Sequence, residues 1–189
     1  NDGAGVQNAD NNIAIGTDAM VGGDLGDNND STDRYFSANI AIGDNAMNST
    51  GTNAQIGTIA IGASALTALT SGAFNTSIGY QSADALTVGK WNTVLGYGAL
   101  SQARGDSSNT AIGYFALNAS NVNASMIENH NTAVGNGAGK AITDGYYNTI
   151  VGSNAGGGFD SNSHNTIMGY TAASAAHDAD GLVAIGSNV

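Results

Sequence analysis

Few residues in this chain are of types that do chemistry, and their spacing limits what that chemistry could be. Asp27, Asn29, Ser31 and Asp33 stand at alternate positions, with Asp24 and Asp30 beside them. Oxygen donors at every second residue suit a hard cation such as calcium. An EF-hand would need Gly where Thr32 stands and Glu where Ala38 stands. The segment therefore reads as a calcium loop of its own kind or as a solvated acidic loop. Asp144, Asp160 and Asp178 recur at nearly constant spacing. Aligned carboxylates could bind a cation or share acid–base work on a glycan, although Asp is also a routine turn residue. Arg104-Gly105-Asp106 spells the integrin-binding tripeptide in a segment that reads as a turn, where it could be displayed. His130 and His164 fall two structural units apart, about 10 Å, too far for one zinc. No nucleophile with a base beside it and no phosphate-cradling loop is evident. The expectation is a non-enzyme with no cofactor, calcium being the one candidate.

Aromatic side chains are better organised. Tyr80, Tyr97 and Tyr114 are spaced 17 residues apart, and Tyr170 holds the same phase later. Phe74, Trp91, His130, Tyr147 and His164 form a second set. Rows of rings could stack on sugars, which makes Tyr80, Tyr97, Tyr114, Tyr170 and Trp91 the ligand-binding candidates. The competing expectation is a stabilising ladder or a contact between chains.

What must position these residues is a repeat. An apolar pair followed by glycine returns from Asn12-Ile13-Ala14-Ile15-Gly16 to Leu182-Val183-Ala184-Ile185-Gly186, through copies such as Asn109-Thr110-Ala111-Ile112-Gly113. The ten glycines are spaced 27, 19, 17, 17, 17, 22, 17, 17 and 17 residues apart. A fixed short period means stacked units that bury a shared core. The fold class expected is all-β: a parallel β-solenoid of about ten coils of 17 residues. It carries three insertions, at about 21–37, 48–57 and 118–130. Residues 1–189 read as one solenoid and as a piece of a longer fibrous protein. The insertions are expected on the surface, where they would carry what distinguishes this rod from others.

Composition excludes several classes. The net charge is −11, and the only cations are Arg34, Lys90, Arg104 and Lys140, so nucleic acid is a poor partner. There is no cysteine, hence no disulfide framework. No apolar run approaches the roughly 18 residues of a membrane span.

Each coil can be counted from its repeat glycine as position zero. Position −1 is Ile, Leu, Val or Met throughout, and −3 is Ile, Thr or Val. These two share one face of a strand, and their apolar, β-branched character predicts that they point into the coil. Position −4 is Asn in eight coils, which predicts an amide ladder along the stack. Position +3 is Ala in most coils, a small slot, and +4 shrinks from Met20, Met47 and Leu66 to Gly139 and Gly156. The core is thus expected to thin towards the C-terminal coils. A slender core in turn suggests self-association.

The Asn-Thr-Ala-Ile-Gly-Tyr phrase at 109–114 and its variants resemble the head repeats of trimeric autotransporter adhesins, the YadA-like head. The resemblance covers about residues 11–189. It implies a left-handed parallel β-roll wound into a homotrimer, working at the cell surface as a fibrous adhesin on a glycan or matrix protein. The 17-residue period is longer than that family's usual repeat and is similar to repeats of bacteriophage tail fibres. That similarity implies, as the alternative, a receptor-binding or structural segment of a virion. Ice binding is a further alternative. It needs the threonines of position −3 on an exposed flat face, and the expected inward phase argues against it.

Overall fold

The computed structural model describes residues 11–21, 36–50, 55–120, 127–175 and 180–189. These contain strands and turns and no helix. Ten three-residue strands, one per repeat, stack in one parallel sheet. They are β1 (Ile13–Ile15), β3 (Ile40–Ile42), β5 (Ile59–Ile61), β6 (Thr76–Ile78), β7 (Thr93–Leu95), β9 (Thr110–Ile112), β11 (Thr132–Val134), β12 (Thr149–Val151), β13 (Thr166–Met168) and β14 (Val183–Ile185). Two short parallel pairs accompany them: β2 (Phe36–Ser37) with β4 (Gln55–Ile56), and β8 (Asp106–Ser107) with β10 (Ile127–Glu128). Equivalent repeat positions pair without slippage, as in Thr93↔Thr110 and Leu95↔Ile112. The register survives even the longest insertion, with Ile13↔Ile40. The chain is a β-solenoid of tandem coils.

Left-handed backbone makes the corners. The ten repeat glycines have φ between +131° and +142°, a region closed to side chains. A Cβ on Gly96 would stand 2.5 Å from the carbonyl oxygen of Gly113 in the next coil. Met20, Met47, Leu66, Leu100 and Leu117 at +4 have φ from 49° to 57°. That geometry is hardest on β-branched residues. It explains why this apolar position holds Leu and Met but neither Ile nor Val.

The expected inside and outside of the strands are reversed. Position −2 points inward: Val94 is 1% exposed while Leu95 beside it is 46% exposed. Ala41, Ala60, Ala111, Ala133, Ile150 and Ile167 are buried in the same column. Positions −3 and −1 face outward. The reason is volume. A coil of 17 residues must also house +3, +4 and +7, the last with Leu69, Leu86, Ile142 and Phe159. Only a small slot remains opposite +4.

In two C-terminal coils the −2 side chain is large where +4 is small, while Val94 and Leu100 are both large and Ala133 and Gly139 both small. Ala60 faces a coil with Leu66, and Ala111 one with Leu117, whereas Ile150 accompanies Gly156 and Ile167 accompanies Ala173. A Cβ on Gly156 would lie 3.0 Å from Ile150 Cδ1, so the isoleucine already fills the space. In these two coils the expected thinning at +4 is offset across the coil by isoleucine at −2, and at Gly139 the space is bordered instead by Leu117, Ile142 and Ile150.

The amide ladder at −4 is present and buried. Asn92 Oδ1 accepts from the backbone N–H of Asn109 at 3.0 Å, and Asn92 Nδ2 donates to the Asp106 carbonyl at 2.8 Å. Asn75, Asn131 and Asn148 repeat the arrangement. Each amide ties its own coil to two places on the next.

Candidate functional site

Among the described residues, the reversed phase leaves the parallel sheet with one open face. Parallel strands ordinarily have both faces covered; here −2 covers one, and −3 and −1 present the other. The −1 column is aliphatic from Ile15 to Ile185. The −3 column is Ile13, Ile40 and Ile59, then Thr76, Thr93, Thr110, Thr132, Thr149 and Thr166, then Val183. The face therefore has an all-isoleucine zone over β1, β3 and β5 and a Thr–aliphatic zone beyond. Across the outward positions −5, −3, −1 and +1 the only carboxylate is Asp44.

The two aromatic columns flank this face. On the +1 side, Tyr80 stacks on Tyr97 with centroids 5.6 Å apart and planes 12° off parallel. Tyr97 stacks on Tyr114 at 5.3 Å and 13°. Phe115 packs edge-on against both Tyr97 and Tyr114, over the space left by Gly98. On the −5 side, His130 stacks on Tyr147 at 5.1 Å, and Tyr147 meets His164 at 5.3 Å. Tyr146 stands edge-on to Tyr147 and His164. Phe74, Trp91 and Tyr170 are exposed, and among the described residues no ring contact joins the two columns. The −5 residues are held in the left-handed region, Trp91 with φ 58° and Phe74 with φ 60°. The backbone corner thus fixes where these rings stand.

Stacking has a chemical consequence. A sugar needs a free ring face, whereas in Tyr80–Tyr97–Tyr114 the inner faces cover one another and the edges remain. Among the described residues no other ring packs on Trp91 or Tyr170.

The other predicted residues separate. Arg104 is exposed but Asp106 is fully buried in β8 and accepts from the Ser120 hydroxyl at 2.7 Å. The expectation of a displayed Arg104-Gly105-Asp106 turn is corrected: the carboxylate faces the coil interior. Asp144 and Asp160 are exposed on adjacent coils, and the Thr143 hydroxyl donates to Asp160 Oδ1 at 3.2 Å. Asp178 lies outside the described residues, as do Asp27, Asn29, Ser31 and Asp33 with most of the first insertion and parts of the other two. Among the described residues no group of three or more His, Asp or Glu side chains is placed to hold a metal. Glu128 reaches His130 at 3.2 Å, an exposed pair of small worth.

Sequence reasoning missed one titratable group. Asp84 is partly buried, its Oδ1 has no hydrogen-bond partner, and burial pushes its carboxyl above the usual range. The backbone N–H groups of Asp84 and Ala85 oppose that shift without cancelling it.

No protein-family model matches the chain, and neither characterised proteins nor solved structures give a match.

Proposed function

We propose that this chain is a non-enzymatic, rod-like head segment of an extracellular fibre that self-associates as a homotrimer and attaches to a cell-surface glycan or matrix protein. The observation that carries it is the open sheet face. An aliphatic stripe along ten strands, with one carboxylate in it, belongs to a chain of net charge −11. Copies of so acidic a chain repel one another everywhere except along such a strip. The face spans about 45 Å by about 20 Å at ordinary strand spacings. The resulting area, about 900 Å², compares with the roughly 800 Å² that one partner gives a standard interface. The resemblance of the repeats to adhesin heads supplies the attachment role, and avidity from several copies of one weak patch supplies its strength. The same rod on a bacteriophage tail fibre would work identically on another surface.

The first experiment is the mass in solution, expected at three times the 18.7 kDa chain. Leu95→Lys, at an exposed site, is expected to yield a folded monomer with unchanged circular dichroism. A wild-type monomer at micromolar concentration would remove the basis of this reading. The assembled protein is then screened on glycans and matrix proteins, with and without calcium.

One observation favours a second reading. The six threonines from Thr76 to Thr166 lie outward in register, about 4.8 Å apart. A flat, regular Thr array of this kind could order water, and ice binding would follow. The chain would then work as a monomer with this face wet. Thermal hysteresis in the monomeric wild type supports this reading, and its absence there removes it.

A further inference from the structure

We propose that copies of this chain associate side by side and parallel, in a closed ring whose seams are aromatic. The −5 border of each copy lies against the +1 border of the next, so that Trp91 meets the partner's Tyr97 and Phe74 meets the partner's Tyr80. This rests on the self-association reading above and adds which edges meet. It reassigns the aromatic columns from ligand platform to joint between chains.

Three observations lead there. First, the columns border the open face on opposite sides, and their members fall at the same heights. Phe74 and Tyr80 flank β6, and Trp91 and Tyr97 flank β7. Any parallel ring about the rod axis brings one copy's −5 border to its neighbour's +1 border. An antiparallel pair instead brings like borders together. Second, the face is zoned along the rod. Parallel copies set the isoleucine zone of β1, β3 and β5 against itself. In antiparallel copies Ile40 and Ile59 would face the Thr zone near Thr166 and Thr149. Third, the tyrosines of the +1 column have spent their inner faces on one another, at 5.3–5.6 Å. What they offer outward is ring edge, the part that meets the free face of an indole or phenyl ring in an edge-to-face contact. Trp91 and Phe74 supply such faces and have no ring partner in their own chain among the described residues.

The natural sequence has no cysteine and a single tryptophan, which makes the test clean. Three variants are treated with a short thiol-to-thiol cross-linker: Trp91→Cys, Tyr97→Cys, and the two combined. Both sites are exposed, so the fold is not at risk, and the strand between them keeps the two thiols of one chain apart. The expected result is covalent dimer and closed ring from the double variant and only monomer from either single variant. Covalent dimer from Trp91→Cys alone overturns the proposal in favour of an antiparallel pair. Monomer from the double variant, in protein whose mass shows assembly, places the joint elsewhere and also overturns it. A wild-type mass of one chain would instead overturn the self-association reading itself. Unmodified protein gives a second readout. Acrylamide quenching of Trp91 is expected to be weak in the assembly and to rise in the Leu95→Lys monomer towards that of a half-exposed indole. Equal quenching in both sinks the seam.

Discussion

Asp84 and Gly96 show how much one residue carries when every coil leans on the next. The Asp84 carboxyl is held above its ordinary value by burial, so the folded chain grips that proton more tightly than the unfolded one. Its contribution is favourable below the unfolded value, near pH 4. It is lost as pH rises through the raised folded value. Asp84→Asn is therefore expected to raise the melting temperature at pH 7, by a small amount because the carboxyl is only partly buried. The gain should vanish when melting is repeated below pH 4. Gly96 is a harder constraint. Its φ of +137° and the Gly113 carbonyl oxygen 2.5 Å from a would-be Cβ leave a methyl group no room. Gly96→Ala is expected to cost more than about 4 kcal/mol. Denaturant unfolding of a chain that still folds, or loss of soluble expression, would register it.

Among the elements, the asparagine ladder does what a hydrophobic core alone could not in so narrow a coil. Removing the Asn92 amide leaves the Asn109 N–H and the Asp106 carbonyl buried without that partner. Each such group costs about 1–3 kcal/mol. Asn92→Ala should thus lose several kcal/mol in urea unfolding. Asn92→Asp should lose as much near neutrality, because a carboxylate cannot donate to the Asp106 carbonyl. Period, register and ladder were legible in the sequence, since a buried amide at −4 and a glycine at zero admit few substitutes. The phase of the strands was not. Ile, Thr and Val at −3 and −1 look like core, and Ala at −2 looks like surface, if the coil is imagined wide. The corrective signal was in the repeats themselves: Ile150 and Ile167 appear at −2 in the coils where +4 falls to Gly156 and Ala173. In those two coils a large residue at −2 beside a small one at +4 pointed to a shared cavity. The aromatic columns could be read as columns, but their stacking, and hence the loss of free ring faces, depends on left-handed corners that residue type does not announce. Asp106 was legible as a motif and misleading as one, because β8 turns its carboxylate inward.

As a whole molecule the solenoid is a stack whose inter-coil hydrogen bonds run along its long axis. The bond from Thr93 N to Asn109 O at 2.8 Å and that from Gly113 N to Leu95 O at 2.7 Å both point from one coil to the next. Tension applied at the two ends therefore loads these bonds in turn, as a zipper is loaded, rather than all at once in shear. Each plain coil that lets go releases 17 residues, or about 53 Å of contour after its own thickness is subtracted. Single-molecule pulling of the Leu95→Lys chain is expected to give a low-force series of near-equal steps of that length, broken by three longer ones. A single high-force rupture would contradict it. A rod built this way is stiff against bending yet pays out slack under load. A fibre holding a surface in flow could then lengthen coil by coil, before its grip at the far end is pulled away.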